Sequence, residues 1–387
     1  MATNTLTALS PNLFAALDTV SRELTGMIPS VSLNADNAQR VAIGDTIKVP
    51  IVGAANVGDS SPSMTVPDPT GQTPTAVEIE ITKSRVAEFG FVGEGQKSLN
   101  NGVGYGTIQT NMIAQAMRSL VNEIETDLVA TYVSASRAYG TISTIPFASG
   151  LGELAQAHRI LVENGAPTSD KQMVLNTITG ASLRSNTGLT NVNQAGSAET
   201  LREGIFGRLS GFAVRESGQF GTHSGGTATL ATITGTEAIG ATALGVTTAA
   251  TTGSIIFTAG DIITIAGDTN KYIVASDVTV GANTTGVVTI AAPGLKIASS
   301  ATKAITVLAD YEMNMGFDRG AVQLVARPGA IPTEGDLAID RMMIVDPVSG
   351  LAFEIAVYLG YKKVRYEVSM AWGVKVTKPE HTMLLIG

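Results

Sequence analysis

Apolar side chains recur along this chain with two periods, and the changes of period divide it. Ser10 precedes Pro11, a capping hydroxyl before a residue suited to a first helical turn, and Leu13, Phe14, Leu17, Val20 and Leu24 follow at helical spacing. The pattern predicts an amphipathic arm helix that ends at Gly26 and Pro29 and needs a partner for its apolar face. Ile47 to Ile51 and Val77 to Thr82 alternate with period two, so residues 47–82 read as two strands. Between them, residues 53–74 are crowded with Gly, Pro, Ser and Asp, a stretch too long for an ordinary connection and expected to reach a neighbouring molecule. Ser61, Pro62, Pro67 and Pro69 stand in this segment.

The longest helical signal follows Gly102, Gly104 and Gly106. Ile113, Met117, Leu120, Ile124 and Leu128 form one stripe at spacings of three and four, and no proline or glycine interrupts residues 107–138. Such a helix would extend ~45 Å and serve as a strut. Residues 150–216 alternate between helix and strand: a helix from Leu151 to Val162 stops at Gly165-Ala166-Pro167, Gln172 to Leu175 reads as a buried strand, and a further helix is expected near 179–184. From about Ser217 to Asp310 charges thin out, and short Thr-, Val- and Ile-rich segments separated by turns predict an inserted all-β unit that closes its sheet. Residues 321–325, 353–358, 363–369 and 375–376, with Trp372 nearby, are expected to be strands that complete the domain interrupted by this unit.

Composition narrows the function. Charged residues make up 15% of the 387, well below the ~25% of an average soluble domain, so much of the surface is expected to be covered by other protein. Mean hydropathy is +0.23, yet no stretch reaches the ~20 apolar residues of a spanning helix. A net charge of -8 argues against an electrostatic nucleic-acid binder. The absence of cysteine removes disulfides and thiolate chemistry. The amino-terminal residues lack the basic start and apolar core of a signal peptide, so folding in the cytosol is expected.

Catalytic patterns fail in detail. The glycines at 102–106 are followed by no Lys-Ser or Lys-Thr at phosphate-loop spacing, and a hinge into the long helix fits them better. His158, His223 and His381 stand apart with no partner at metal-ligand spacing, and Glu78 with Glu80 and Glu123 with Asp127 read as solvated faces. No cofactor, metal or catalytic residue is expected.

Three segments carry a family resemblance: Asn4-Thr5-Leu6 through Leu24 with Ile28-Pro29, the run Gly204 to Val214, and Phe353-Glu354-Ile355-Ala356 through Val374 with Lys378 to His381. In this order the chain resembles the major capsid proteins of tailed double-stranded-DNA bacteriophages, most closely the coat proteins of short-tailed phages with an inserted β-barrel domain. Thr258 to Gly267 resembles part of that insertion.

The resemblance implies an α+β fold with an N-terminal arm (1–46), an extended E-loop with P-domain strands and the spine helix (47–139), a first A-domain part (140–216), the inserted all-β domain (217–312), an A-domain return (313–350) and closing strands (351–387). It implies a structural, non-enzymatic subunit that assembles with other copies into hexamers and pentamers. Implied partners are a separate scaffolding protein, a portal at one vertex and packaged double-stranded DNA held without sequence-specific contacts, with no membrane. The implied location is the virion capsid, assembled in the host bacterial cytoplasm. The arm residues Leu13, Phe14, Leu17, Val20 and Leu24, the spine stripe and the loop residues become assembly residues under this reading. A polymerising tail, fibre or surface-layer protein is the alternative, and an unrecognised hydrolase a further one.

Overall fold

The computed structural model describes residues 25–35, 39–51, 57, 59, 62, 64, 65, 75–100, 105–190, 207–228, 230–248, 254–347 and 349–387. The arm positions Leu13, Phe14, Leu17, Val20 and Leu24 lie outside the described residues, as do Ser61, Pro67 and Pro69.

Strands β1 (Ser32–Ala35), β2 (Thr46–Ile51), β3 (Thr75–Glu80) and β4 (Lys83–Val92) lead to a short helix α1 (Gly93–Asn100) and the long helix α2 (Tyr105–Val129). Then come β5 (Arg137–Gly140), α3 (Gly152–Glu163), β6 (Lys171–Leu175), α4 (Thr177–Ser185), the single turn α5 (Thr187–Thr190), β7 (Arg208–Leu209) and β8 (Phe212–Glu216). The low-charge region holds β9 (Thr222–His223), β10 (Ala231–Ile233), β11 (Ala243–Thr248), β12 (Ile255–Phe257), β13 (Ile262–Ile265), β14 (Lys271–Ile273), β15 (Val278–Val280), β16 (Thr285–Thr289) and β17 (Ala304–Val307). The chain closes with β18 (Tyr311–Asp318), β19 (Val322–Arg327), β20 (Ala338–Val345), β21 (Ala352–Gly360), β22 (Lys363–Val376) and β23 (Thr382–Ile386).

Helix α2 spans 25 residues, about 38 Å at 1.5 Å per residue, and is shorter than the expected 107–138. Its stripe is buried throughout. The helix gives way to a 3-10 turn, Ala130–Ser134, and the chain beyond is taken by the sheet: Ser136 donates both its N–H (3.1 Å) and its hydroxyl (2.5 Å) to the carbonyl of Thr382. β5 then pairs in parallel with β23. Tertiary pairing overrides a helical pattern already weakened by the β-branched and aromatic run Thr131-Tyr132-Val133. Gly106 falls inside the first turn of α2, so it is not a hinge ahead of it.

Beneath α2 lies a sheet whose axis is β22. β4, absent from the sequence expectation together with α1, pairs along one side of β22 from Lys83 to Val92, while β21 and then β19 pair along the other. β20 and β1 are the outer strands. The expected separate strands at 363–369 and 375–376 are one strand of 14 residues. Gly373 does not break it, because the β2–β3 hairpin crosses there: a Cβ on Gly373 would collide with the carbonyl of Glu80. Trp372, Met370, Val368, Phe353 and Ile355 meet the α2 stripe to form the largest core.

The second sheet runs β16-β11-β10-β17-β13-β14-β5-β23-β18-β6-β8-β7, with α3 and α4 contributing to the core on one face. Its first six strands curl back on themselves. Val274 bridges Ile290, with Ala291 N–H on Ile273 O (3.0 Å) and Ala275 N–H on Thr289 O (2.8 Å), so the ladder from β16 to β14 closes around its own apolar core of Leu244, Val246, Phe257, Ile263, Val288 and neighbours. Residues 217–312 are also paired with strands that lie outside this span or run out of it. Lys271 pairs with Ala138 and Tyr272 with Arg137 across the β14–β5 seam, and β9 joins β18. The two flanking strands, β8 and β18, both pair with β6.

Candidate assembly surfaces and the polar anchors behind them

The β2–β3 hairpin follows the alternation seen in the sequence, in register from Thr46 opposite Glu80 to Ile51 opposite Thr75. Ile79 and Ile81 are buried against Val325 and Ala371, with Ile47 and Val49 packed beside them. This fixes the root of the hairpin to the subunit. Lys48 and Glu78 form an exposed ion pair at 3.1 Å, worth ~0–1 kcal/mol. Beyond the paired part, Val57 (96% exposed), Met64 and Pro62 are exposed and not covered by the other described residues. Large apolar groups presented this way at the end of an anchored hairpin suit contact with another molecule.

The predicted spine residues behave differently. Ile113, Met117, Leu120, Ile124 and Leu128 are all at most 3% exposed. They hold α2 onto its own sheet and are not available to a neighbour. The polar edge of α2 is also engaged. Lys83 contacts Glu123 (3.1 Å) and Asp127 (2.8 Å), Arg85 Nε reaches Glu123 (3.1 Å), and Trp372 Nε1 donates to Asp127 Oδ2 (2.8 Å). Glu123 and Asp127 are therefore ligands of β4 and β22 and not a freely solvated face. The hydrogen bond to Asp127 raises the Lys83 ammonium above its usual value despite partial burial.

Sequence reading missed a second cluster, on the opposite face of the β22 sheet. Glu354 is almost wholly buried, with Arg40 Nη2 at 2.7 Å and Arg341 Nη1 at 2.7 Å on the same carboxylate oxygen; Arg341 also binds Asp336, which accepts from Tyr358 Oη at 3.0 Å. Burial by itself would push the Glu354 carboxyl up, but the hydrogen bonds from Arg40 and Arg341 outweigh it and hold the group below its usual range. The partners lie 314 and 13 residues away, so no local motif signals them. Next to this face, β20 is an outer strand with Ile339, Met343 and Val345 exposed, and Leu337 just before it is exposed as well. At the far tip a groove of about 770 Å³ is lined by Phe91, Val92, Gln96, Leu359 and Tyr361.

Chemistry is sparse elsewhere. Among the described residues no group of three or more His, Cys, Asp or Glu side chains is placed to hold a metal ion, and no helix is long and apolar enough to cross a membrane. His223, which has no partner at metal-ligand spacing in the sequence, meets a buried one in space: Nε2 lies 2.9 Å from Asp261 Oδ1 and Nδ1 2.7 Å from Tyr132 Oη. His158 is partly buried and packs edge-on against Phe212.

No protein family and no curated protein matches the chain. Solved structures similar to it include "Mycobacterium phage Che8" at 14% identity, covering 95% of this chain and 92% of that one, with a TM-score of 0.49. "Asymmetric unit of bacteriophage PhiM1 mature capsid" is similar at 10% identity, 95% and 88% coverage and a TM-score of 0.48. "Capsid of native GTA particle computed with C5 symmetry" is similar at 10% identity, 95% and 91% coverage and a TM-score of 0.48.

Proposed function

We propose that this chain is a structural shell subunit, a major capsid protein of the tailed-phage type, that assembles with other copies of itself into a closed icosahedral particle. The observation that carries the reading is the hairpin. Its root is locked into the subunit core by Ile79 and Ile81, yet Val57, Pro62 and Met64 beyond it are left uncovered by the other described residues, as expected of an arm whose counterpart lies on another subunit. The exposed apolar residues of the outer strand β20 and the low charge of the chain support the same reading.

In this reading the α2 and β22 layers are the P-domain, the β23, β18 and β6 sheet with α3 and α4 is the A-domain, and the closed ladder from β10 to β17 is the inserted barrel. The spine stripe contributes to assembly indirectly, by keeping the subunit rigid. The arm helix with Leu13, Phe14, Leu17, Val20 and Leu24, and the loop with Ser61, Pro62, Pro67 and Pro69, supply inter-subunit contacts. A separate scaffolding protein directs assembly in the host cytoplasm, a portal occupies one vertex, and double-stranded DNA fills the mature shell without sequence-specific contacts.

Negative-stain microscopy after co-expression with a scaffolding protein tests this. Uniform closed shells are the expected result. Tubes or flat lattices would favour a tail, fibre or surface-layer protein, and a discrete dimer that never assembles would overturn the proposal.

A further inference from the structure

Two segments far apart in the chain converge on one carboxylate. Glu125, near the end of α2, is fully buried, and no cation is bonded to it among the described residues. Oε1 accepts from the N–H of Gly26 (2.6 Å) and of Met27 (2.7 Å), and Oε2 accepts from that of Ile28 (3.0 Å). The fourth donor is the hydroxyl of Ser217, at 2.7 Å from Oε1. The first three belong to the point where the amino-terminal arm enters the fold. The fourth opens the segment that runs from β8 into the low-charge β ladder.

That segment, residues 217–223, is strapped along the last two turns of the helical rod. Thr126 Oγ1 donates to Gln219 Oε1 at 3.1 Å, Phe220 is buried in the α2 core, and Tyr132 Oη meets His223 Nδ1 at 2.7 Å. His223 then passes the connection on to Asp261, whose carboxylate also takes the N–H groups of Gly226 (2.9 Å) and Thr258 (2.7 Å). The arm root is held as closely. Ser30 Oγ bonds Gly26 O (2.6 Å), Arg319 Nη2 bonds Pro29 O (2.8 Å), and a Cβ on Gly26 would collide with the carbonyl of Glu216, the residue just before the strap.

We propose that Glu125 is a shared latch that couples the arm root at residues 26–28 to the strap at residues 217–223, so that loosening either one loosens the other. A buried carboxylate needs its donors, and hydrogen bonds to a charged group are among the stronger ones. When the arm root is pulled away, three donors leave together, and the carboxylate must draw on Ser217 alone or rotate toward water. The strap then loses its first anchor. Coupling of this kind acts equally in both directions. Movement of the arm is thereby felt at the base of the β ladder, whatever molecule the arm engages.

Hydrogen-deuterium exchange on the full-length subunit tests the coupling. Ser217→Ala removes one donor from the strap side and should accelerate exchange at residues 26–28 several-fold. Unchanged exchange there, with only 217–223 faster, would overturn the proposal. Glu125→Gln places an amide NH2 against backbone donors and should speed exchange in both segments by about tenfold or more; acceleration in one segment alone would also overturn it. If Glu125→Gln does not fold, Ser217→Ala decides the matter, since it leaves the carboxylate and its three backbone donors in place. Asn111→Ala at an exposed position of the same helix should leave both segments unchanged, and an equal response to it would show general loosening in place of a shared latch.

Discussion

Two apolar cores lie on either side of the β5–β14 seam, and they are built in opposite ways. The core under α2 is made from long elements, a helix of 25 residues and a strand of 14. Each carries enough periods of its pattern to specify which face is buried. The core of the closed ladder is made from strands of three to six residues. None of these is stable as a separate hairpin. Their burial depends on closure through Val274 and Ile290 and on the neighbouring β5. Long elements are specified locally and short strands collectively, so damage to the two cores should spread differently.

The largest effect is expected for Leu120→Pro. Proline in a helix interior removes a hydrogen bond and clashes with the preceding turn at a cost of ~3 kcal/mol or more, and the buried leucine is lost as well, for a further ~2 kcal/mol or more. The variant should fail to give the native cooperative melt, read by circular dichroism. A normal melting temperature would contradict the role given to α2.

Phe257→Ala comes next, at ~3–5 kcal/mol for an emptied aromatic site. Because Phe257 is fully buried within the ladder core, exchange protection should fall in residues 231–307 while the α2 amides stay protected. Equal loss in both regions would mean that the seam makes the two cores one cooperative unit.

The last concerns Glu354, whose contribution is present at neutral pH and fades in acid. Its folded-state carboxyl titrates below the usual value because of Arg40 and Arg341, so it contributes stability that is complete above the unfolded value of ~4.3 and is lost as pH falls from there toward the folded one. Glu354→Gln should flatten the acid limb of melting temperature against pH below about 4.5. An acid limb as steep as that of the unmodified protein would remove the group from the account.

Much of the element pattern is legible without coordinates. The α2 stripe from Ile113 to Leu128 is buried as its spacing requires, the β2 and β3 alternation appears as an in-register hairpin, and Gly165 ends α3 with a positive φ of 83°. β4 and α1 are hard to read because Lys83 to Asn100 mixes apolar and charged positions with three glycines, and its alternating run, Ala87 to Phe91, is only five residues long. The end of α2 was misplaced because the pull on residues 137–140 comes from β23 at the far end of the chain.

What the sequence by itself determined is the set of faces to be buried, because period and turn chemistry act over a few residues. It also determined that no ready-made catalytic motif is present. The tertiary structure alone decided which faces meet: the triple pairing of β22, the seam that joins the β ladder to β5, and the convergence of Gly26, Met27, Ile28 and Ser217 on Glu125. A buried carboxylate in a helix looks the same in sequence as an exposed one. Its role depends on backbone donors up to 99 residues away, brought to it only when the long-range strands pair and exclude water.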